Sequence, residues 1–389
     1  MKKTYKIILI FFLLLLLTGC WDLIEIDERL FVSAIGIDIY TGDKEDQPEV
    51  HPEENYLTQQ DRFVIIYSAP NLKALGKNPT SDKPRILTAS ISNNAYETTK
   101  ELATRTNRNL SFRHLKTFII GEDVAKNPEY MKEIFDDLDR HELLSKKLNV
   151  LIAKGTAKEV MAIEDPFEPL TGYLIDGILK KKQGSSRYNT QNLNDILIEL
   201  YSSGNALAPR VVAGKGEVKV AGSAIIKDYG FVGWLGEIEN IAAMFFLDKI
   251  DKAVINANYK NTTVPFEISN SKTKYKLEAE GNKIKFIVDI KAEGAILEYK
   301  LDTKVKVFDE KTIKEVELLA EEAIKKEVLA LVGKLQKEFK TDVLGVGIYI
   351  KKYKPDLWED IKDDWDQVFT KVEIEVNTEV KARRIGMTK

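Results

Sequence analysis

The only cysteine of the 389-residue chain, Cys20, directly follows Leu17-Thr18-Gly19. An aliphatic residue and two small residues before a cysteine form the bacterial lipobox, whose small side chains let a signal peptidase hold the extended backbone. The thiol then becomes the thioether of a diacylglycerol. A lone cysteine is more commonly a buried core residue, but the position of Cys20 favours the lipobox. We therefore predict an S-diacylglycerol on Cys20, to which an N-linked palmitoyl chain can be added.

The residues ahead of Cys20 have the pattern of a secretory signal. Three lysines precede an apolar run from Ile7 to Leu17. A helix of that length rises only about 16 Å, which is too short for a hydrocarbon core of about 30 Å. We therefore predict a lipoprotein signal peptide at residues 1–19 and a mature chain that acyl groups hold at the outer face of a membrane. An acylated Cys20 has no thiol left for a disulfide, a zinc site or nucleophilic catalysis.

Other residues that could do chemistry do not form a recognised site. The three histidines, His51, His114 and His141, lack the HExxH and HxH spacings of metal sites. Gly214 and Gly216 lie close together but match neither the GxGxxG spacing nor the GK[ST] ending of phosphate-binding loops. The sequence therefore predicts no catalytic, cofactor-binding or metal-binding residue, and we expect that the protein is not an enzyme.

A cluster of cations precedes one predicted strand and could bind an anion. Its members are Arg105, Arg108, Arg113 and Lys116. The alternative is that these side chains are solvated or pair with acids such as Glu122 and Asp123.

A pair of tryptophans could serve as a docking stripe. Trp358 and Trp365 are seven residues apart, with Ile361 and Phe369 on the same predicted helix face. Burial of such aromatic side chains against a sheet is the commoner use, and it remains the alternative.

Charge and length limit the class of protein. The chain has 58 basic and 61 acidic residues, and removal of the lysine-bearing signal makes the mature chain more acidic. A net negative charge argues against nucleic acid as a partner. The mature chain also exceeds the roughly 250 to 300 residues at which a single core stops growing, so we expect at least two domains.

The first half of the mature chain alternates strand and helix patterns and includes an acidic, exposed loop at 41–60. Strands are predicted at 29–40, 62–70, 86–92, 115–121 and 147–155, and helices at 94–106, 128–140, 157–163 and 190–201. Inward stripes are predicted for two helices, with Ala95, Thr99, Leu102 and Ala103 in the first and Met131, Ile134, Phe135 and Leu138 in the second. The strand–helix–strand order suggests a right-handed parallel unit.

Glycine, serine and proline are concentrated at 202–217, which we interpret as the main domain boundary. We predict an N-terminal α/β domain at 20–201 and a C-terminal α+β domain at 217–389, which allows a further division near residue 270. The predicted fold class is α+β (mixed α/β) and multi-domain, with an antiparallel-rich sheet packed on a long helix in the C-terminal half.

The C-terminal half has strand patterns at 217–236, 274–299, 343–353 and 371–384, and helix patterns at 238–247, 312–339 and 355–369. The first of these strand segments is predicted to be a hairpin with glycine turns. Thr312 and Glu315 are predicted to form a capping box at the start of the long helix. Its inward stripe is predicted to be Ile313, Val316, Ala320, Ile324, Val328, Leu331, Leu335 and Phe339.

Several segments together resemble the Ger(x)C family, the C subunit of bacterial spore germinant receptors. The most specific are the Cys-Trp-Asp opening of Gly19–Asp38 and the "SFRHLKTFIIGE" block of Arg108–Ala125. The others are Asp137–Val160, Ala221–Glu239 and the stretch from Pro355 to Gly386. The resemblance spans nearly the whole mature chain in the same order.

This resemblance implies a lipoprotein on the outer face of the spore inner membrane, assembled with two membrane-embedded partners, the A and B subunits. It also implies a mixed α/β protein without known catalytic activity that is required for germination triggered by small nutrients. The family's lipidated cysteine corresponds to Cys20, and the resemblance implies no ligand-binding residue.

An alternative function is that of a solute-binding lipoprotein of an importer, which shares a lipid anchor and a two-domain α/β body. Such proteins bind their ligand in a cleft between two domains that close on a hinge. The different classes of the two halves and the single evident linker favour the receptor subunit.

Overall fold

The fold is described from a computed structural model. It covers residue 25 and residues 28–42, 62–74, 79–93, 95–181, 185–259, 262–280, 283–297 and 310–385. The predicted signal peptide, Cys20, His51 and most of the predicted loop at 41–60 lie outside the described residues. The strands of the described residues form an eight-stranded, a four-stranded and a two-stranded sheet.

The larger sheet has a parallel centre and antiparallel flanks. The first ten strands are β1 (Arg29–Phe31), β2 (Ala34–Ile39), β3 (Phe63–Pro70), β4 (Arg85–Ser92), β5 (Asn109–Ser111), β6 (Thr117–Ile120), β7 (Asn149–Ala153), β8 (Asn205–Ala213), β9 (Val218–Lys227) and β10 (Gly230–Leu235). Their order in the sheet is β10-β9-β8-β7-β6-β2-β3-β4, while β1 pairs separately with β5. Strands β2, β6, β7 and β8 run parallel.

Helices cover both faces of this sheet, because its central strands are apolar on both faces. The helices are α1 (Ala95–Arg105), α2 (Glu122–Ala125), α3 (Pro128–Arg140), α4 (Ala157–Ala162), α5 (Thr171–Lys181), α6 (Leu193–Ser203) and α7 (Glu237–Phe246). One face packs against α1, α2, α3 and α6, and the other against α4 and α5. The predicted parallel strand–helix–strand unit is confirmed by β6, α3 and β7.

The predicted stripe of α3 is confirmed, since Met131, Ile134, Phe135 and Leu138 are all buried. The stripe of α1 is wrong in part, because Ala103 is exposed while Thr98 and Leu102 are buried. A 2.7 Å hydrogen bond between the hydroxyls of Tyr67 and Thr98 accounts for the inward position of Thr98.

The segment 202–217 is not a linker, because β8 occupies most of it. Its glycines serve the two ends of this strand: Gly204 caps α6 with a φ of 75°, and Gly216 lies in the turn before β9 with a φ of 77°. Pro209 fits at an irregularity in the pairing of β8 with β9. The division into domains at 201 and 217 stays a prediction.

The hairpin of β9 and β10 is confirmed, but its turn is not made by glycine. Asp228 and Tyr229 have φ values of 48° and 68°. Positive φ at both central residues is the requirement of the turn type that matches strand twist, and Asp tolerates it well. Gly230 is instead the first residue of β10.

A four-stranded sheet and a long helix form the second core. Its elements are β11 (Ala253–Tyr259), β12 (Thr262–Glu280), β13 (Lys283–Ile296), β14 (Glu373–Ile385) and α8 (Glu310–Lys334), followed by a π-helical turn at Leu335–Phe339. Strands β11, β12 and β13 are antiparallel neighbours, and β14 runs parallel to β13. Residue 270, the predicted further division, lies inside β12.

The predicted stripe of α8 and the turn after it is buried at Val316, Ala320, Ile324, Val328, Leu331 and Leu335, but its first member, Ile313, is only half-buried. Phe339, at its end, packs on the same core. The predicted capping box is wrong, because α8 already includes Glu310 and Thr312 is a buried residue within the helix.

The predicted strand at 343–353 is a helix, α9 (Val346–Tyr353). Its alternating valines and isoleucines are typical of a strand, but the side chain of Asp342 accepts hydrogen bonds from the amides of Val346 and Gly347 and so starts a helix. The predicted helix at 355–369 is present but interrupted, as α10 (Pro355–Ile361), a 3-10 turn (Lys362–Asp364) and α11 (Trp365–Phe369).

One helical glycine sets how closely α5 approaches the sheet. A Cβ at Gly172 would lie 2.1 Å from the carbonyl oxygen of Ser33, which is backbone that cannot easily move. We expect Gly172→Ala to lower the free energy of unfolding by about 1–3 kcal/mol through overpacking. Urea unfolding of the mature chain measures this change.

Gly177→Ala, in the same helix, is the matched control. A Cβ there meets nothing within 4 Å, so the higher helix propensity of alanine should leave stability unchanged or raise it by up to about 1 kcal/mol. Equal effects of the two substitutions would contradict the close packing of α5 on the sheet.

Candidate functional site

The first described strand lies close in sequence to the predicted lipid site. Cys20 itself is outside the described residues, but β1 begins at Arg29, nine residues later. Nine extended residues span at most about 30 Å. The Cα atom of Cys20 therefore lies within that distance of Arg29, the first residue of β1.

The chain enters the fold at the amino end of the parallel strands. Ala34, Thr117 and Asn149 begin β2, β6 and β7 and lie side by side in the sheet. The Thr117 hydroxyl donates to the carbonyl oxygen of Gly172 at 3.0 Å, so the beginning of α5 lies at this end too. The segments before β6 and before α5 therefore share one end of the molecule with β1.

The four cations that could bind an anion do not form ion pairs with Glu122 and Asp123. Arg105 binds Glu101 at 2.6 Å and the carbonyl oxygen of Ala89 at 2.7 Å. Lys116 lies over the ring of Tyr173, with its Nζ 5.9 Å from the ring centroid. Lys126, rather than the predicted cations, forms the ion pairs with the two acids. Arg113 is exposed in the turn before β6, and Arg108 lies next to β5.

Two of the histidines are packed against aromatic rings. The ring centroid of His114 lies 5.4 Å from that of Phe31, and that of His141 lies 5.7 Å from that of Phe112. Across the described ranges, no three His, Cys, Asp or Glu side chains are grouped so that they could hold a metal ion. No helix in the same ranges is long and apolar enough to cross a bilayer.

A cleft of about 420 Å³ lies between the two cores. The end of α6 and the hairpin turn at Asp228 form one wall, and α9 with residues 358–367 forms the other. Lys227 crosses between the walls, with Nζ 2.5 Å from Asp366 and 3.2 Å from the carbonyl oxygen of Lys340. Asn205 also donates across to the carbonyl oxygen of Asp342 at 3.4 Å.

The carboxylate of Asp342 lies at the bottom of this cleft and is 4% exposed. It accepts hydrogen bonds from the amides of Val346 and Gly347, at 3.1 and 2.7 Å, and from Nε1 of Trp365 at 3.2 Å. Burial raises the pKa of Asp342 above its ordinary value, and these donors act in the opposite direction. Because the protein itself saturates this carboxylate, its role is to start α9 and to position Trp365.

The two tryptophans form part of the second core. Their ring centroids are 5.4 Å apart, and both side chains pack partly buried against it. A Cβ at Gly347 would lie 2.7 Å from the ring of Trp365, so this glycine lets the ring approach α9. Of the two interpretations, the structure favours packing over a free docking stripe, but the rings lie against α9 and the second core, beside Gly347.

The C-terminal end of α8 joins the two cores. Lys334 binds Glu239 at 2.7 Å, and its Nζ lies 5.3 Å from the ring centroid of Phe339. The ring of Phe339 fills the space above Gly233 in β10, where a Cβ would lie 2.2 Å from it. The hairpin of the first core is thereby packed directly against the helix of the second.

Comparison with known protein families shows where the chain belongs. The family described as "Spore germination protein N-terminal domain" matches residues 22–213, and the family described as "Spore germination B3/ GerAC like, C-terminal" matches residues 221–386. The chain is a Ger(x)C spore germination protein. The first match ends at residue 213, the last residue of β8, and the second begins at residue 221, inside β9, so adjacent strands of one sheet fall in different matches.

Known Ger(x)C-type proteins are similar over their full lengths. Spore germination protein YndF of Bacillus subtilis (strain 168) is 26% identical over 100% of this chain and 98% of its own length. Spore germination protein B3 of the same organism is 26% identical over 99% of both chains, and spore germination protein KC is 26% identical over 99% of this chain and 97% of its own.

A solved structure shares this fold. The crystal structure of the GerBC protein superposes with a TM-score of 0.60 at 19% identity, covering 91% of this chain and 99% of that one. The mixed α+β fold class is therefore confirmed.

Sequence reasoning missed Asp342 as the organising residue of the cleft. The usual capping signal is absent, since the N-cap residue of α9 is Gly345 and Asp342 lies three residues before it. The β-branched residues that follow favour a strand instead.

We expect Asp342→Ala to lower the free energy of unfolding by about 2–5 kcal/mol, because several buried donors lose their acceptor. The fluorescence of Trp365 should change as its indole loses the hydrogen bond. Urea unfolding followed by tryptophan fluorescence measures both effects. Asp363→Ala, at an exposed residue of the same cleft, is the control and should change stability by less than about 0.5 kcal/mol.

Asp342→Asn should alter the pH dependence of stability. Because burial raises the pKa of Asp342, the folded protein binds this proton more tightly than the unfolded chain does. The resulting stabilisation is fully present below the unfolded pKa of about 3.9 and is lost as the pH rises through the folded pKa. We therefore expect the wild type to gain stability relative to Asp342→Asn as the pH falls, in urea unfolding at a series of pH values. A pH-independent difference would contradict the raised pKa.

Proposed function

We propose that this protein is the lipid-anchored, non-enzymatic C subunit of a spore germinant receptor, which acts with the A and B membrane subunits in nutrient-triggered germination. The observation that carries the proposal is the match of both parts of the chain, 22–213 and 221–386, to spore germination families. The full-length similarity to relatives named as spore germination proteins supports it.

The proposed anchor is a diacylglycerol on Cys20, with an N-palmitoyl chain as a second acyl group. It is supported by the residues Leu17-Thr18-Gly19 before the cysteine. Two acyl chains hold a protein stably at a membrane where one does so only marginally. The proposed location is the outer face of the spore inner membrane, with the fold within about 30 Å of its anchor.

The arrangement of the charged groups supports a non-enzymatic role. The buried carboxylate in the cleft, Asp342, is saturated by hydrogen bonds within the protein. Glu199, in a second polar hollow, accepts from the amide of Leu207 at 3.3 Å and is paired with Lys249 at 3.4 Å. The roles of these acids are therefore structural.

The family match also weighs against the solute-binding alternative. A closing cleft needs walls that separate, but here Lys227 links the two walls and Phe339 packs across Gly233. These contacts favour a body that moves as one unit.

Replacement of residues 1–20 by a secretory signal with an ordinary cleavage site should release the protein from the membrane and abolish nutrient-triggered germination. Fractionation of spore extracts and the loss of optical density of spores on nutrient addition measure the two effects. Mass spectrometry of the wild-type N-terminal peptide should show the acyl groups on Cys20.

The control is a chimera that restores a cysteine at the cleavage site of a foreign lipoprotein signal, which should restore both retention and germination. Normal germination by Cys20→Ala spores, with the protein still in the membrane fraction, would contradict a role for the anchor.

A further inference from the structure

One large apolar side chain of the structure lies almost fully in solvent. Phe167, in the loop of residues 163–170 between α4 and α5, is 91% exposed. Single exposed apolar residues are common, so exposure by itself has little meaning. What distinguishes Phe167 is the number of contacts that hold its loop in one conformation.

Local hydrogen bonds fix the loop around Phe167. The carboxylate of Asp165 accepts from the amide of Phe167 at 2.8 Å and from the amide of Glu168 at 3.1 Å. Glu168 in turn accepts from the amide of Leu170 at 3.0 Å. Prolines at 166 and 169 restrict the backbone further. Because the loop is already ordered, a partner that binds the exposed ring would lose little conformational entropy in fixing the loop.

Arg85 of the edge strand β4 joins the two ends of this loop. Its guanidinium donates to the carbonyl oxygen of Ala162 at 2.8 Å, to that of Pro169 at 3.4 Å and to the hydroxyl of Thr171 at 3.0 Å. The loop is thus attached to the sheet at both ends as well as ordered within itself.

An apolar groove adjoins the loop on the same side of the sheet. It has a volume of about 220 Å³, and Ala162, which begins the turn into the loop, is one of its lining residues. The other apolar members are Val64, Ile66, Leu87, Ala89 and Met161. Leu87 is 39% exposed and lies two residues along β4 from Arg85. The loop that carries Phe167 thus follows directly on the helix that lines the groove, and we call the loop and the groove together the Phe167 surface.

The loop of the Phe167 surface lies at the end of the molecule where the chain enters the fold, and the groove extends from there along the sheet toward Val64, which pairs with Asp38 near the carboxyl end of β2. The loop ends at Leu170, and Gly172, in the first turn of α5, accepts a hydrogen bond from Thr117 at the amino end of the parallel strands. Strand β1 enters the fold at that same end. If Cys20 carries the proposed anchor, the end of the fold that bears the Phe167 loop is the end tethered to the membrane.

The charged residues near Phe167 favour a protein over a lipid surface as the partner that binds it. Three carboxylates, those of Glu164, Asp165 and Glu168, lie within three residues of Phe167, and Arg85 is the cation that faces Glu164. Anionic lipids attract basic segments and repel acidic ones. Acidic residues on both sides of one exposed aromatic residue in the loop instead match a protein pocket that is apolar at its centre and basic at its rim.

We propose that Phe167 is the central contact residue of a docking surface for the membrane-embedded subunits. The matching contact site on those subunits is an apolar pocket with a basic rim. The groove beside β4 takes an apolar segment next to that pocket. This inference rests on the proposed function and adds to it the surface of this chain that meets its partners.

The test isolates the receptor from detergent-solubilised spore membranes through a tag on this chain and quantifies the A and B subunits by mass spectrometry. Phe167→Ala should lower their recovery at least about fivefold, as expected for a central aromatic contact. Glu168→Gln keeps the acceptor for Leu170 but removes the charge, so it should lower the recovery and weaken its dependence on salt.

Ile238→Ala is the matched control, because Ile238 is 61% exposed on α7. This variant should recover the subunits as the wild type does. Thermal unfolding of each variant should match that of the wild type, since both side chains lie in solvent. Equal recovery with Phe167→Ala and the wild type would overturn the inference while leaving the proposed function intact.

Two other outcomes separate the inference from its alternatives. If the wild-type chain isolates no membrane-embedded subunit, the proposed function itself fails. If the chain without residues 1–20 binds vesicles of phosphatidylcholine and phosphatidylglycerol, and Phe167→Ala abolishes that binding while leaving subunit recovery unchanged, the surface contacts lipid and the inference is overturned.

Discussion

The two-sided burial of the parallel strands β2, β6, β7 and β8 is the constraint on which the rest of the fold depends. All four residues of β6 are buried, so both faces of the sheet are apolar at this central strand and must be covered by other parts of the chain. Helices must therefore lie on both faces, and the chain must cross from one end of the sheet to the other between strands. These crossings place β1 and the beginning of α5 at the same end of the sheet. The segments before β6 and before α5 therefore lie near the point where the chain enters the fold.

Sequence patterns predicted those elements whose burial is decided locally. The stripes of α3 and α8 repeat every three or four residues, and they are buried as expected except at the two ends of the α8 stripe, Ile313 and Phe339, which are half-buried. Prediction failed where a distant or single contact decides the structure. The apolar stretch after Gly345 has strand-like alternation, yet one carboxylate, Asp342, makes it a helix. In 202–217 the glycines and serines belong to a helix end and a turn. The strand between them, β8, is paired with β7 and β9, and local sequence does not reveal these partners.

The lipid anchor proposed at Cys20 stays a prediction, and it rests on four residues, Leu17–Cys20, because a lipobox is a local pattern that needs no fold. The family could be recognised from sequence, since its motifs are local. The docking surface could not. Phe167 is one aromatic residue in an acidic, proline-bearing stretch, and its significance depends on Arg85, which lies 77 residues before Ala162 in the chain and yet binds its carbonyl oxygen.

The pairing of β8 with β9 limits where the chain can be cut to produce a stable fragment. A fragment that stops at residue 213, where the N-terminal family match ends, would retain β8 but lose β9 and β10. The hydrogen-bonding groups of β8 would then form an open edge able to recruit a strand from another molecule. Soluble fragments of this protein should therefore extend through Leu235, so that the hairpin closes the sheet within one polypeptide.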